Sequence, residues 1–231
     1  MSYLITPSLY YSYWYYKETD FDGVYSDADK AKEAEEKART DWLNTLNKVK
    51  TPPTPAMQAG IDFENAVYEM DVNFSHITED EEGTPYLNGE KILYPAAYAL
   101  KEEERKCAYD FAKIVNGGIW QYSLIKKEGN FTLYGRADVI KGNTIYDIKR
   151  VSSYDVGKYQ ESIQHLLYME CSSLEHFRYL ICDGKNTYEE YYGKDAGTHD
   201  ILMGKINTMV DWINSVPEFA KPFNKYWIAR D

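Results

Sequence analysis

Two glycine–asparagine dipeptides divide the middle of the chain into three short segments, and this pattern constrains the fold more than any other feature. The segments are rich in β-branched and aromatic residues, which favour extended strands. A Gly-Asn dipeptide between two such segments favours a tight hairpin. We therefore predict a three-stranded meander, with strands IWQYSLIKKE, FTLYGRADVI and TIYDIKRV joined by Gly129-Asn130 and Gly142-Asn143.

Helices are predicted on both sides of this meander, from N-cap, proline and glycine signals. The order of helices, meander, helix, hairpin and helix predicts an α/β or α+β fold, with a central mixed sheet flanked by helices. The predicted helices are 7–16, 31–50, 56–70, 95–116 (opened by Pro95), 156–172 and 199–216, with an acidic loop at 72–92 and a second hairpin at 177–193.

The length suits one large domain, and we predict a single domain over 1–231. Its predicted parts are a helical N-terminal part (1–117), a catalytic core (about 54–193) and a C-terminal helix and tail (198–231). No run approaches the roughly 18–20 apolar residues of a membrane helix, so no membrane association is expected. Three widely spaced cysteines argue against a disulfide scaffold or a zinc ribbon, and a reducing cytoplasm is the expected location.

The second turn of the meander fixes which residues of its two strands face each other. With a two-residue turn, Asp138 lies directly opposite Asp147, and their Cβ atoms are expected about 4.5–5.5 Å apart. Lys149 lies two residues beyond Asp147 and therefore projects from the same face. One hairpin thus presents two carboxylates and an amine to the same point.

Two facing carboxylates repel each other, and a divalent cation between them removes that repulsion. Hard oxygen ligands without His or Cys indicate Mg²⁺ or Mn²⁺ rather than zinc. Such a centre, with an ammonium beside it, suits metal-assisted hydrolysis of a phosphodiester. The alternative is a surface hairpin that carries these charges by chance.

Two predicted helices supply further polar side chains. Glu64 lies among apolar positions of the third helix, so its carboxylate is expected to be half-buried. On the helix that follows Lys149, Gln160, Gln164 and Tyr168 are spaced four apart and share one face. A solvated polar stripe is an equally good interpretation of that helix taken alone.

Taken in order, these residues resemble the motifs of the PD-(D/E)XK nuclease superfamily, and most closely its phage λ-exonuclease-type and RecB-type members. The resemblance covers roughly residues 54–172 and implies a restriction-endonuclease-like core. RecB-type members often carry His in place of Glu64, so the λ-type comparison is the better one. The matching motifs are Gly60-x-x-Phe63-Glu64, Asp138, Asp147-Ile148-Lys149 and Gln164-x-x-x-Tyr168.

The resemblance implies a role for each matched residue. Lys149 would assist the attacking water, Gln164 would hold the site or the DNA backbone, and Tyr168 would pack behind it. The residues implied to act in catalysis are Glu64, Asp138, Asp147, Lys149 and Gln164. The groups implied to hold Mg²⁺ or Mn²⁺ are Glu64, Asp138, Asp147 and the carbonyl of Ile148.

Charge is distributed unevenly along the chain. The formal net charge is −11, yet residues 113–158 carry eight Lys/Arg against four Asp/Glu. A locally positive site on an acidic body is what an enzyme acting on DNA requires. The residues predicted to contact DNA are Arg136, Arg150, Lys158 and Tyr168.

The leading hypothesis is a Mg²⁺-dependent DNA exonuclease of phage or prophage recombination type, acting on double-stranded ends. The resemblance further implies a single-strand annealing protein as partner and a homo-oligomer. It leaves cleavage polarity open, because the λ-type enzymes use an early Arg and the first Arg here is Arg39. Two alternatives stay open: an endonuclease of the same superfamily, for restriction or junction resolution, and a catalytically inactive DNA- or protein-binding module.

Overall fold

The structure is a computed structural model that describes residues 2–82, 85–87, 90–91 and 100–229. Its helices are α1 (Pro7–Glu18), α2 (Phe21–Val24), α3 (Ala28–Leu46), α4 (Pro55–Val72), α5 (Glu102–Val115), α6 (Gln164–Ser172), α7 (Thr198–Ser215) and α8 (Pro217–Tyr226). Its strands are β1 (Tyr3–Ile5), β2 (Ile77–Glu79), β3 (Pro85–Leu87), β4 (Glu90–Lys91), β5 (Ile119–Glu128), β6 (Phe131–Lys141), β7 (Thr144–Arg150), β8 (His176–Cys182) and β9 (Thr187–Gly193).

Strand β6 organises the central sheet because it has different partners along its two edges. Antiparallel β5 pairs with it over nearly its whole length, from Ile119–Ile140 to Glu128–Phe131. On the other edge, β1 pairs in parallel with residues 131–133 and β7 pairs antiparallel with residues 139–141. Residues 134–138 therefore have no strand partner on that edge among the described residues.

The rest of the sheet extends outward from β7. Strand β8 pairs in parallel with β7, and β9 pairs antiparallel with β8, so the sheet is mixed. The predicted meander and the predicted second hairpin are both present. The predicted fold class, a central mixed sheet flanked by helices, is confirmed.

Helices cover both faces of this sheet, and each face has its own apolar core. On one face, which we call the α6 side, α1, α3, α6, α7 and α8 pack against Leu133, Ile145 and Phe177. On the other, the α4 side, α4 and α5 pack against Val139 and Tyr146. None of the helices in the described part of the chain combines the length and apolarity that a membrane crossing requires.

Side-chain caps begin two helices that position the site, as the sequence predicts. The Thr6 hydroxyl accepts a hydrogen bond from the Leu9 amide at 3.2 Å, ahead of Pro7 in α1. The Thr54 hydroxyl accepts from the Met57 amide at 3.2 Å at the start of α4. These bonds satisfy amides that have no partner within their helices.

Several predicted boundaries were wrong. The N-terminal part is not purely helical, because it contains β1 to β4, and three of these strands replace part of the predicted loop at 72–92. The helix predicted from 156 starts only at Gln164, after a run of turns. The predicted tail contains α8, which Pro217 opens. The helix start predicted at Pro95 lies outside the described residues, and the helix there is described from Glu102.

Gly135 allows α6 to approach β6 closely. A Cβ atom at this position would lie 2.1 Å from the Tyr168 ring carbon Cε1. Because no real Cβ tolerates such a contact, only glycine lets the Tyr168 ring lie across the strand here. Gly60 in α4, by contrast, has open space where its Cβ would be.

We expect Gly135→Ala to lower the free energy of unfolding by about 1–3 kcal/mol, because the added methyl overpacks the contact with Tyr168. Gly60→Ala is the matched control. It should be neutral or stabilising by up to about 1 kcal/mol, because alanine is the better helix former in the interior of a helix. Urea denaturation of both variants makes the comparison, and equal effects would show that Gly135 is not required by packing.

Candidate active site

The β6–β7 hairpin has the predicted register at its turn but opens where the predicted site begins. Ladder pairs run from Lys141–Thr144 to Val139–Tyr146, and the ladder ends there. The next pair in this register would be Asp138 and Asp147. Instead of a backbone pair, the Asp138 carboxylate enters the space between the strands and its Oδ2 accepts a hydrogen bond from the Ile148 amide at 2.8 Å.

Asp147 is the most enclosed carboxylate of the site, with 1% of its surface exposed. Its Oδ1 accepts a hydrogen bond from the Gln164 amide nitrogen at 2.5 Å. Its Oδ2 forms an ion pair with the ammonium of Lys149 but accepts no hydrogen bond of regular geometry. Asp147 and Lys149 thus share one face, as strand alternation predicts.

Glu64 approaches from α4, where it is half-buried as predicted. Its Oε1 accepts a hydrogen bond from the side-chain amide of Gln121 on β5. Burial raises the pKa of Glu64, and the negative charge of Asp147 raises it further. Lys149 and Arg136 act in the opposite direction, so Glu64 shares one electrostatic neighbourhood with the hairpin residues.

The ionised form of Asp138 is disfavoured both by burial and by the neighbouring acids. Burial raises its pKa well above the ordinary value of an aspartate, and Asp147 and Glu64 raise it further. Lys149 and the hydrogen bond from Ile148 lower it only partly. Burial also opposes the charge of Lys149, but the carboxylates of Asp147 and Asp138 outweigh this and raise the pKa of the ammonium.

Gln164 and Tyr168 lie one turn apart on α6, as predicted, and both face the site. Gln164 donates from its side-chain amide to Asp147 and also to the Tyr168 hydroxyl, the latter at 3.3 Å. The Tyr168 hydroxyl in turn donates to the backbone carbonyl of Arg136 at 2.9 Å. Burial raises the pKa of Tyr168 to about 12, so this hydroxyl stays protonated near neutral pH. Gln160 lies outside the helix and is exposed.

A cavity of about 860 Å³ opens onto these groups. Its walls combine the start of α1, the unpaired stretch of β6 and the segment before α6. Glu64, Asp138, Lys149 and Gln164 are among the polar residues that line it, whereas Asp147 lies behind them. The other lining residues include Ser8, Tyr11, Trp14, Gln121, Arg136, Lys158 and Tyr159.

The predicted DNA-contacting cations divide into two groups. Arg136 and Lys158 are exposed and line the cavity, and the Lys158 ammonium donates to the Ser153 carbonyl at 3.2 Å. The Arg150 guanidinium donates two hydrogen bonds, at 3.0 and 2.7 Å, to the buried carboxylate of Glu104 on α5. That contact lies on the α4 side, because strand alternation turns Arg150 away from Lys149, and Arg150 is not among the residues that line the cavity. Its contact with DNA stays a prediction.

Sequence reasoning missed Gln121, and it did not divide the tyrosines of α1 between the core and the cavity. The tyrosines of α1 divide between the core, where Tyr10 and Tyr13 are buried, and the cavity wall, where Tyr11 is 63% exposed. A helical projection of α1 could have indicated this division. No sequence pattern indicates Gln121, which occupies an ordinary position in a predicted strand.

Another group of potential metal ligands lies elsewhere, at one end of β5. Single ligand atoms of Glu128, Glu170 and His199 lie within 4.8 Å of one another. The buried carboxylate of Glu170, however, already forms ion pairs with Lys126 and with Lys194, the latter at 3.2 Å. Because lysines compensate its charge, we do not interpret this cluster as a metal centre.

The donor set between β6 and β7 does fit a hard divalent cation. Three carboxylates share the electrostatic neighbourhood of one ammonium, and two of them, Glu64 and Asp138, have pKa values raised by burial and by repulsion from neighbouring acids. Asp147 Oδ2 is buried without a regular hydrogen bond. Carboxylate oxygens are the ligands that Mg²⁺ and Mn²⁺ prefer, and a bound cation would offset the uncompensated negative charge.

Comparison with known proteins finds likeness in structure only. No protein-family model matches the chain, and no curated protein matches its sequence. The crystal structure of LHK-Exo in complex with dAMP is similar, with 10% identity, a TM-score of 0.49 and coverage of 96% of this chain and 92% of that chain. A protein from Eubacterium rectale that is described as an exonuclease is also similar, with 12% identity and a TM-score of 0.47. The match covers 96% of this chain and 82% of that chain. Similarity at this level does not support a functional conclusion. The argument for function therefore rests on the side chains of the site.

We expect Asp138→Asn to raise the free energy of unfolding of the metal-free protein at neutral pH. The pKa of Asp138 is raised in the folded state, so its contribution to stability is fully present below the unfolded pKa and is lost as pH rises through the folded pKa. Asparagine does not titrate, so the difference between the two proteins should vanish near pH 3 and grow toward pH 7. Thermal unfolding in EDTA across this pH range measures it.

Asp71→Asn is the matched control, because Asp71 is a buried carboxylate whose oxygens are satisfied. It accepts hydrogen bonds from Asn116 at 2.9 Å and from the Trp120 indole at 2.7 Å. Exchanging an acceptor for a donor here should cost about 1–3 kcal/mol. If Asp138→Asn destabilised the metal-free protein as Asp71→Asn does, the electrostatic description of the site would be wrong.

Proposed function

We propose that the protein is a Mg²⁺- or Mn²⁺-dependent deoxyribonuclease of the PD-(D/E)XK type. The supporting observation is that Glu64, Asp138 and Lys149 line one cavity where β6 and β7 separate, with Asp147 directly behind them in an ion pair with Lys149. Neutral donors from Gln164 and Gln121 hold two of the carboxylates without neutralising them. A site built only to stabilise the fold would satisfy its buried acids, as Asp71 and Glu104 are satisfied.

The metal would be held by Asp138, Asp147 and Glu64. The backbone carbonyl of Ile148 would be a further ligand, because the Ile148 amide points into the gap toward Asp138 and the amide and carbonyl of a strand residue point the same way. When bound, the cation supplies charge stabilisation at the phosphate and lowers the pKa of a water molecule.

The residues of the chain bind the substrate and orient the attacking water. Lys149, as an ammonium, donates hydrogen bonds to that water or to a non-bridging phosphate oxygen, and so favours the charge that develops there. Gln164 fixes the carboxylate of Asp147 that faces Lys149. Arg136 and Lys158 line the cavity wall, where they would contact flanking phosphates.

We propose duplex ends as the substrate, and phage or prophage recombination as the setting. Such an enzyme would leave a single strand for an annealing protein and would work in the cytoplasm, with oligomerisation as a further proposal. An endonuclease with the same site is the second candidate. The two differ in whether they cut DNA that has no ends.

Linear duplex DNA should be degraded in the presence of Mg²⁺ and left intact in EDTA. Lys149→Ala should lower the rate by about 100- to 1,000-fold, since it removes one preorganised donor at the reacting phosphate. Asp138→Ala should abolish the metal-dependent rate, whereas Lys221→Ala, an exposed lysine on α8, should leave it unchanged. Wild-type rates in Lys149→Ala or Asp138→Ala would rule out this site.

Covalently closed circular duplex separates exonuclease from endonuclease. The proposal predicts no cleavage of the circle and full degradation once a restriction cut has supplied ends. Cleavage of the intact circle would favour the endonuclease. Absence of Mn²⁺ binding in calorimetry, with no degradation of either substrate, would favour the inactive binding module.

A further inference from the structure

Gln121 has a backbone conformation that its position in β5 does not require. Its φ angle is 54°, in the left-handed region that L-residues avoid. The other non-glycine residues with positive φ in the described part of the chain are Lys48 and Ser173, and each follows the end of a helix. Left-handed residues are common at helix ends, but Gln121 lies inside a strand.

Gln121 lies opposite Asp138, at the point where the side chains of β6 switch from one face of the sheet to the other. Its neighbours Trp120 and Tyr122 pair with Val139 and Ala137, whereas Gln121 and Asp138 form no ladder pair. Residues two apart on a strand normally share a face. Here Val139 packs on the α4 side and Ala137 on the α6 side, so the alternation is reset between them.

This reset brings together side chains from the two sides of the sheet. Glu64 comes from the α4 side, whereas Gln164 and Tyr168 come from the α6 side. The Gln121 side chain lines the cavity and donates its amide hydrogen bond to Glu64. A neutral donor holds the carboxylate in one orientation and leaves its negative charge available to a cation, which a lysine would not do.

We propose that Gln121 is a positioning residue that orients the Glu64 carboxylate toward the metal, and that its left-handed backbone is retained for this purpose. The inference rests on the proposed function, because it gives Glu64 the role of a metal ligand. Backbone strain at such a position persists only where the surrounding structure maintains it, and strain of this kind concentrates at functional sites.

Gln121→Gly tests the proposal because glycine keeps the left-handed backbone and removes the side chain. We expect Mn²⁺ affinity, measured by calorimetry on the metal-free protein, to fall by about 10-fold or more. The melting temperature should stay the same or rise by up to about 4 °C, since glycine adopts this φ without strain. Ser173→Gly is the matched control, because Ser173 also has a left-handed φ (62°) but lies after the end of α6 and is not among the residues that line the cavity. This variant should leave Mn²⁺ affinity unchanged.

A double-mutant cycle with Glu64→Gln then identifies the route of the effect. If Gln121 acts through Glu64, adding Gln121→Gly to Glu64→Gln should cause no further loss of Mn²⁺ affinity. Wild-type affinity in Gln121→Gly, a large drop in its melting temperature, or full additivity in the cycle would each overturn the inference. The proposed function survives those outcomes, whereas a wild-type protein that binds no Mn²⁺ would overturn both.

Discussion

The unpaired stretch of β6 between β1 and β7 is the constraint on which the rest of the site depends. Within the described part of the chain, backbone groups there pair with no strand on that edge, and buried backbone groups must find partners. Side chains of the site act as partners on both sides of the gap: the Tyr168 hydroxyl donates to the Arg136 carbonyl of β6, and the Asp138 carboxylate accepts from the Ile148 amide of β7. The same residues that close the gap in the sheet therefore line the cavity, which couples the stability of the sheet to the geometry of the site.

The site carries more negative charge than the protein's own cations balance, and a bound divalent cation would offset the excess. Two carboxylates, Asp138 and Glu64, have pKa values raised by burial and by their acidic neighbours, whereas the one nearby ammonium, Lys149, pairs directly with Asp147. Two buried acids outside the site are compensated by cations of the protein itself, Glu104 by Arg150 and Glu170 by two lysines. In those two ion pairs the negative charge is balanced, whereas at the site between β6 and β7 it is not. This difference supports the proposed metal dependence.

The sequence predicts those parts of the molecule that depend on local rules. Turn chemistry predicts the hairpin register, alternation places Asp147 and Lys149 on one face, and helical spacing places Gln164 beside Tyr168. Alternation also turns Arg150 away from the site. The count of charges over residues 113–158 could not show this, because a count does not consider which face each side chain lies on. Three features depend on tertiary structure and could not be predicted: the three-residue strand β1, the end of the β6–β7 ladder after Val139, and the left-handed conformation of Gln121.

The central claim is that a divalent cation binds in the gap between β6 and β7. The most direct measurement is a crystal structure of the protein soaked in Mn²⁺, with anomalous difference density recorded at the manganese absorption edge. The account predicts a peak within coordination distance of carboxylate oxygens from both Asp138 and Asp147. Density beside Glu128, Glu170 and His199 instead, with none between the two strands, would contradict it.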